Sequence, residues 1–155
     1  MKGKDCYDLN AIDSKTKFVL AHLFVEKRDK NNCVMFLSQI KKTCYTQILA
    51  RYFYTKYFPK EDYEKIKFVC DKFANYKYAF NKLFYRTCTL TFGVPIANKK
   101  YNLEHNNNPI ERYNGKLKDR IKNIRSGFKS FYDAGCFMDL RRVINNFVNP
   151  HQELS

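Results

Sequence analysis

The period of the apolar residues switches back and forth along this chain, and that alternation constrains its fold more than any other feature. Phe18-Val19-Leu20-Ala21-His22-Leu23-Phe24-Val25 is apolar on both faces, the pattern of a central buried strand. Asp5 to Ile12 reads as a shorter strand, and Asp13-Ser14-Lys15 as the turn that makes the two a hairpin. Asn31-Asn32 can cap a helix on which Cys33, Phe36, Leu37 and Ile40 recur at helical spacing. Tyr45, Ile48, Leu49 and Tyr52 continue a similar stripe, and Pro59 ends it. Ile66 to Cys70 is the next strand, Phe73 to Phe84 a helix on Tyr76, Ala79, Phe80 and Leu83, and Thr87 to Val94 an alternating β-branched strand. A polar loop runs from Asn98 to Asn108. In the last third, Ile110, Tyr113, Leu117, Ile121 and Ile124 form one helical stripe, which Gly127 breaks. Phe131, Ala134, Phe137, Met138, Leu140, Ile144 and Phe147 predict a final helix, stopped before Pro150. The order β-β-α-β-α-β-α-α predicts an α/β domain with a helical C-terminal third.

At 155 residues the chain is expected to form a single domain with a core of its own. Lys+Arg 29 against Asp+Glu 15 gives a formal charge of +14, which favours a polyanionic partner. No apolar run is long enough to span a bilayer and no signal peptide opens the chain, so nucleic acid ranks above a membrane. No small-molecule cofactor is implied. The six cysteines show no CxxC spacing and read as reduced thiols, which points to the cytoplasm. His22, inside an apolar run, is more often a satisfied core residue than a ligand. The Tyr/Phe cluster from Tyr52 to Phe58 offers stacking faces for nucleobases, but aromatics at helical spacing more often belong to a core, and a core is expected here.

Two carboxylates stand out by their surroundings. Asp71 ends the apolar run Ile66-Lys67-Phe68-Val69-Cys70, at the C-terminal mouth of a strand, where open α/β sheets place their chemistry. Glu111 opens a basic helix in Asn108-Pro109-Ile110-Glu111-Arg112. Each has a competing role as a helix cap: Asp71 before the helix that follows its strand, Glu111 at the third position of a capping arrangement. Beside the apolar stripe, however, Glu111, Gly115, Lys118, Lys122 and Arg125 form one row, with Arg112, Lys116 and Arg120 also on the helix surface. Gly115 removes bulk where a ligand backbone can approach, and Lys118 lies about 10 Å further along the axis. Two carboxylates beside basic charge is an arrangement that brings a divalent metal to a phosphate backbone.

Three stretches together resemble the DDE-type transposases of insertion sequences, whose catalytic domain is ribonuclease H-like. Val69-Cys70-Asp71 followed by Tyr76 is similar to the family's second-aspartate strand. Asn107-Asn108-Pro109-Ile110-Glu111-Arg112-Tyr113-Asn114-Gly115-Lys116-Leu117-Lys118 is similar to its glutamate helix. Asn146-Phe147-Val148-Asn149-Pro150-His151 resembles its ending. The resemblance implies a mixed sheet with flanking helices and a metal-dependent cleavage and transfer of DNA strands. It makes Asp71 and Glu111 catalytic and metal-binding residues for Mg²⁺ or Mn²⁺. It makes Lys118 a DNA contact, and Arg112, Lys116, Lys122 and Arg125 are read with it as DNA-binding. The family's first aspartate precedes a Lys-Gly-Lys turn, which here is Lys2-Gly3-Lys4 behind Met1. The first, central strand and the N-terminal DNA-recognition region are therefore expected to be absent, and Asp5, Asp8 and Asp13 are weak substitutes. The expectation is a catalytic-domain remnant, nucleoid-associated and inactive alone. Alternatively it is a non-catalytic regulator that pairs with itself or with an intact transposase.

Overall fold

The computed structural model describes residues 5–92, 108–122 and 128–148. The elements follow the expected order: β1 (Tyr7–Ile12), β2 (Val19–Val25), α1 (Lys30–Tyr57), β3 (Ile66–Cys70), α2 (Ala74–Phe84), β4 (Cys88–Phe92), α3 (Asn108–Lys122) and α4 (Phe131–Val143). A π-helical turn, Ile144–Val148, continues α4. The chain divides into two compact units, Met1–Arg28 with Asn108–Ser155, and Asp29–Asn107.

In the first unit β1 and β2 pair antiparallel, with Asp8 opposite Phe24 and Asn10 opposite His22. The hairpin turn is held by Asp13, whose carboxylate accepts from the Thr16 amide and hydroxyl, both at 2.6 Å. Lys17 completes the turn with φ 61, a conformation that costs a residue bearing a Cβ. Opposed residues share a face, so Asp8, Asn10, His22 and Phe24 point the same way. The core of this unit is Val19, Tyr113, Leu117 and Met138, with Ile12, Phe24, Ile110, Ile121, Phe128 and Phe137 packed against it. The α3 stripe is therefore buried as its spacing predicts; Ile124 and Gly127 lie outside the described residues.

The π-helical turn carries the Asn-aromatic pair of the last motif, and its work is structural. The Asn146 amide pairs with Val19 as a strand would: Oδ1 accepts from the Val19 amide at 2.7 Å and Nδ2 donates to the Val19 carbonyl at 3.0 Å. Asn145 Nδ2 donates to the Lys17 carbonyl at 3.1 Å. Adding a residue to the turn aims both amides at the hairpin. Phe147 meets Phe18 edge-on at 5.6 Å yet stays largely exposed, as does Leu140, so neither is the core residue its spacing suggests. Ser130 caps α4 by accepting from the Asp133 amide.

In the second unit β3 and β4 pair parallel, from Ile66 opposite Cys88 to Cys70 opposite Phe92. Phe68 on β3 packs on Phe80 and Phe84 of α2, with ring centroids at 5.6 and 4.9 Å. Cys33, Phe36, Leu37, Ile40 and Ile48 bury one face of α1. The cap is Asp29, which accepts from the Asn32 amide at 2.8 Å, rather than Asn31 or Asn32. Past Ile48 the stripe loses its cover. Phe53, Tyr54, Tyr57 and Phe58 are exposed, which corrects the expectation of a core. The reason is length: α1 has 28 residues and α2, against which it packs, has 11. At 1.5 Å per residue, α1 outruns its partner by about 25 Å.

The four strands thus make an α/β chain with two two-stranded sheets, β1-β2 and β3-β4. Among the described residues β2 has one strand neighbour, not the two of the central strand that its apolar run suggests.

Candidate functional site

Asp71 is exposed and directly follows β3. The cap of α2 is Phe73, with no side-chain hydrogen bond, so the capping role that competed for Asp71 is not taken. Its charge is felt next door, where burial and then Asp71 push the Cys70 thiol up to about 11. Glu111 is exposed in the first turn of α3. Among the described residues neither carboxylate makes a hydrogen bond or an ion pair. Asp71 belongs to the second unit and Glu111 to the first.

Arg112, Lys116, Lys118 and Arg120 are all exposed on α3, while Tyr113 and Leu117 bury its other side. Stepping 100° per residue, Glu111, Gly115 and Lys118 share an outward row, as their spacing predicts. A Cβ added at Gly115 meets nothing within 4 Å, so nothing in the fold requires glycine there. Lys122 ends the helix and its side chain is outside the described residues, as is all of Arg125.

A second polar cluster, unforeseen from the sequence, lies on the covered face of the hairpin. The His22 ring bridges two carboxylates: Nε2 lies 2.5 Å from Asp8 Oδ1 and Nδ1 lies 2.9 Å from Asp139 Oδ1. The His22 side chain is 3 % exposed, Asp8 17 % and Asp139 64 %. Burial lowers the pKa of His22, but the hydrogen bonds and charges of Asp8 and Asp139 together outweigh it, and the net shift is upward. The imidazolium, with both nitrogens donating, is the form this cradle holds. Asp8 Oδ2 in turn accepts from Asn10 Nδ2 at 2.8 Å. The Tyr113 hydroxyl is buried without a hydrogen-bond partner among the described residues. Burial, reinforced by Asp8 against Arg141 and Arg142, pushes its pKa up to about 12. Asp8 and His22 lie diagonally across the hairpin, so the pair was legible once the register was known. Asp139, 117 positions from His22, was not.

These contacts decide which carboxylates are free. Both oxygens of Asp8 are engaged, and Asp13 is spent in the turn. Among the described residues no group of three His, Cys, Asp or Glu side chains is placed to hold a metal ion. A three-carboxylate set for Mg²⁺ or Mn²⁺ is thus not seen among the described residues. No family model, curated protein or solved structure matches the chain.

Proposed function

We propose that this chain is a ribonuclease H-like relative of DDE-type transposase catalytic domains that binds duplex DNA through α3 and does not transfer strands by itself. The observation that carries the reading is α3. Tyr113 and Leu117 anchor the helix in the core, and Arg112, Lys116, Lys118 and Arg120 stand in solvent. A formal charge of +14 adds long-range attraction to a polyanion. Among the described residues Asp71 and Glu111 make no hydrogen bond or ion pair, as suits the second aspartate and the glutamate of such a site, while Asp8 and Asp13, two of the three candidates for the first aspartate, are bonded within the hairpin unit. That favours a regulator that occupies DNA, alone or with an intact transposase, over a nuclease. No described helix is long and apolar enough to cross a membrane, and the nucleoid is the compartment this reading assigns.

Two assays test it together. Labelled duplex DNA should bind the wild type, and Arg112→Ala with Lys118→Ala should bind it less tightly. Supercoiled plasmid in millimolar Mn²⁺ should stay intact. Nicking that disappears with Asp71→Asn would restore the enzyme reading, and duplex affinity indifferent to α3 would remove the DNA reading.

A further inference from the structure

We infer that the C-terminal half of α1 is a stacking surface for single-stranded nucleic acid. Phe53, Tyr54, Tyr57 and Phe58 recur at positions i, i+1, i+4 and i+5, and all four are exposed. They form two pairs, one stacked and one tilted. Phe53 and Tyr57 lie 5.9 Å apart at 22°, and Tyr54 and Phe58 lie 5.9 Å apart at 34°. Tyr63, beyond the helix, joins the second pair at 5.4 Å from Tyr54.

Exposed apolar area alone fits a protein partner as well as a nucleic acid. Charge separates the two. Along its 28 residues α1 carries five Lys or Arg and no Asp or Glu. Two of these cations stand beside the rings, Lys56 5.8 Å from the Tyr57 centroid and Arg51 5.6 Å from Tyr63, and Lys65, beyond the helix, lies 5.5 Å from Tyr52. The carboxylates Glu61, Asp62 and Glu64 flank Tyr63 past the helix end; Glu61 is hydrogen-bonded to the Tyr63 side chain and Glu64 is paired with Lys67 at 2.8 Å, so the cationic character belongs to the helical part of the surface. Aromatic faces with cations beside them match a chain of bases carrying phosphates. Bases show their faces only when unpaired, so the occupant is a single strand rather than a duplex. The inference does not rest on Asp71, Glu111 or α3.

The chain contains no Trp, so one introduced at the surface reports on that site alone. Tyr57→Trp keeps an aromatic face there and should be quenched by an oligodeoxythymidylate. Tyr132→Trp, on the exposed surface of α4 in the other unit, should not. Anisotropy with the labelled oligonucleotide should show Phe53→Ala and Tyr57→Ala each weakening binding by roughly 5- to 100-fold, the range for losing one stacked base. The same variants should leave duplex affinity unchanged, while Lys118→Ala lowers duplex affinity and spares the single strand. The inference is overturned if Tyr57→Trp emission is unmoved at saturating oligonucleotide, or if the double variant Phe53→Ala with Tyr57→Ala binds it as tightly as wild type. It is equally overturned if sedimentation shows a dimer that the double variant dissociates with single-strand affinity unchanged, which assigns the surface to a second copy.

Discussion

Replacing His22 with Asn tests whether the buried imidazolium ties the hairpin to α4. Two carboxylates lose their shared partner. Removing one member of a buried pair costs roughly 3–5 kcal/mol, and an exposed pair is worth about 0–1. Asp8 is 17 % exposed and Asp139 64 %, so most of the loss should come from the Asp8 side. A destabilisation of about 3 kcal/mol follows, or a Tm lower by about 10 °C for a chain of this size. The pH dependence carries the sign. Because folding raises the His22 pKa above 6.5, the pair's contribution is complete below 6.5 and is lost as pH rises through the folded value. Within that window the wild type should lose up to about 1.4 kcal/mol per pH unit, and His22→Asn should remove that slope. Thermal unfolding followed by circular dichroism from mildly acidic to mildly alkaline pH reads both effects. Asp8→Asn should cost more than Asp139→Asn. An unchanged slope in His22→Asn, or a greater cost at Asp139 than at Asp8, would refute the reasoning.

Three further substitutions have definite signs. Gly115→Ala should stabilise the protein by about 0.5–1 kcal/mol in urea unfolding, since alanine fits the helix and meets nothing; a loss of duplex affinity in the same variant would show that the gap serves a bound backbone. Tyr113→Phe should be neutral or stabilising by roughly 1–2 kcal/mol, because it deletes a buried hydroxyl with no partner among the described residues; a clear destabilisation would mean that the hydroxyl is satisfied. Asn146→Ala removes two bonds to Val19 and should cost about 1–3 kcal/mol in the same assay, while Asn146→Gln should not restore them, because the longer amide no longer reaches in register.

The element order was legible because each switch of apolar period coincides with a change of backbone, from Val19–Val25 through the buried stripe of Tyr113 and Leu117. Helical spacing identifies a face but not what covers it. Phe53 and Tyr57 read as core residues although α2 ends too soon to reach them. The same limit applies to Leu140 and Phe147. The bridge at His22 depends on strand register and on the packing of α4, neither of which is local. The π-helical turn also escapes local pattern, since what favours it is Asn145 and Asn146 reaching Lys17 and Val19. At the candidate site, Asp71 and Glu111 are both exposed. Asp13 was legible as a turn residue and sits in that turn; what local sequence could not reveal is that Asp8 is committed to His22 and Asn10.

The salt dependence of duplex binding tests the central claim most directly. A helix that neutralises phosphates with Arg112 and Lys118 releases their counterions, and log Kobs falls with log salt by about 0.9 per contact. The double alanine variant should show a slope shallower by about 2 than the wild type, with weaker binding at every salt concentration. Equal slopes and equal affinities in the two proteins would contradict the assignment of α3 as the DNA-binding element.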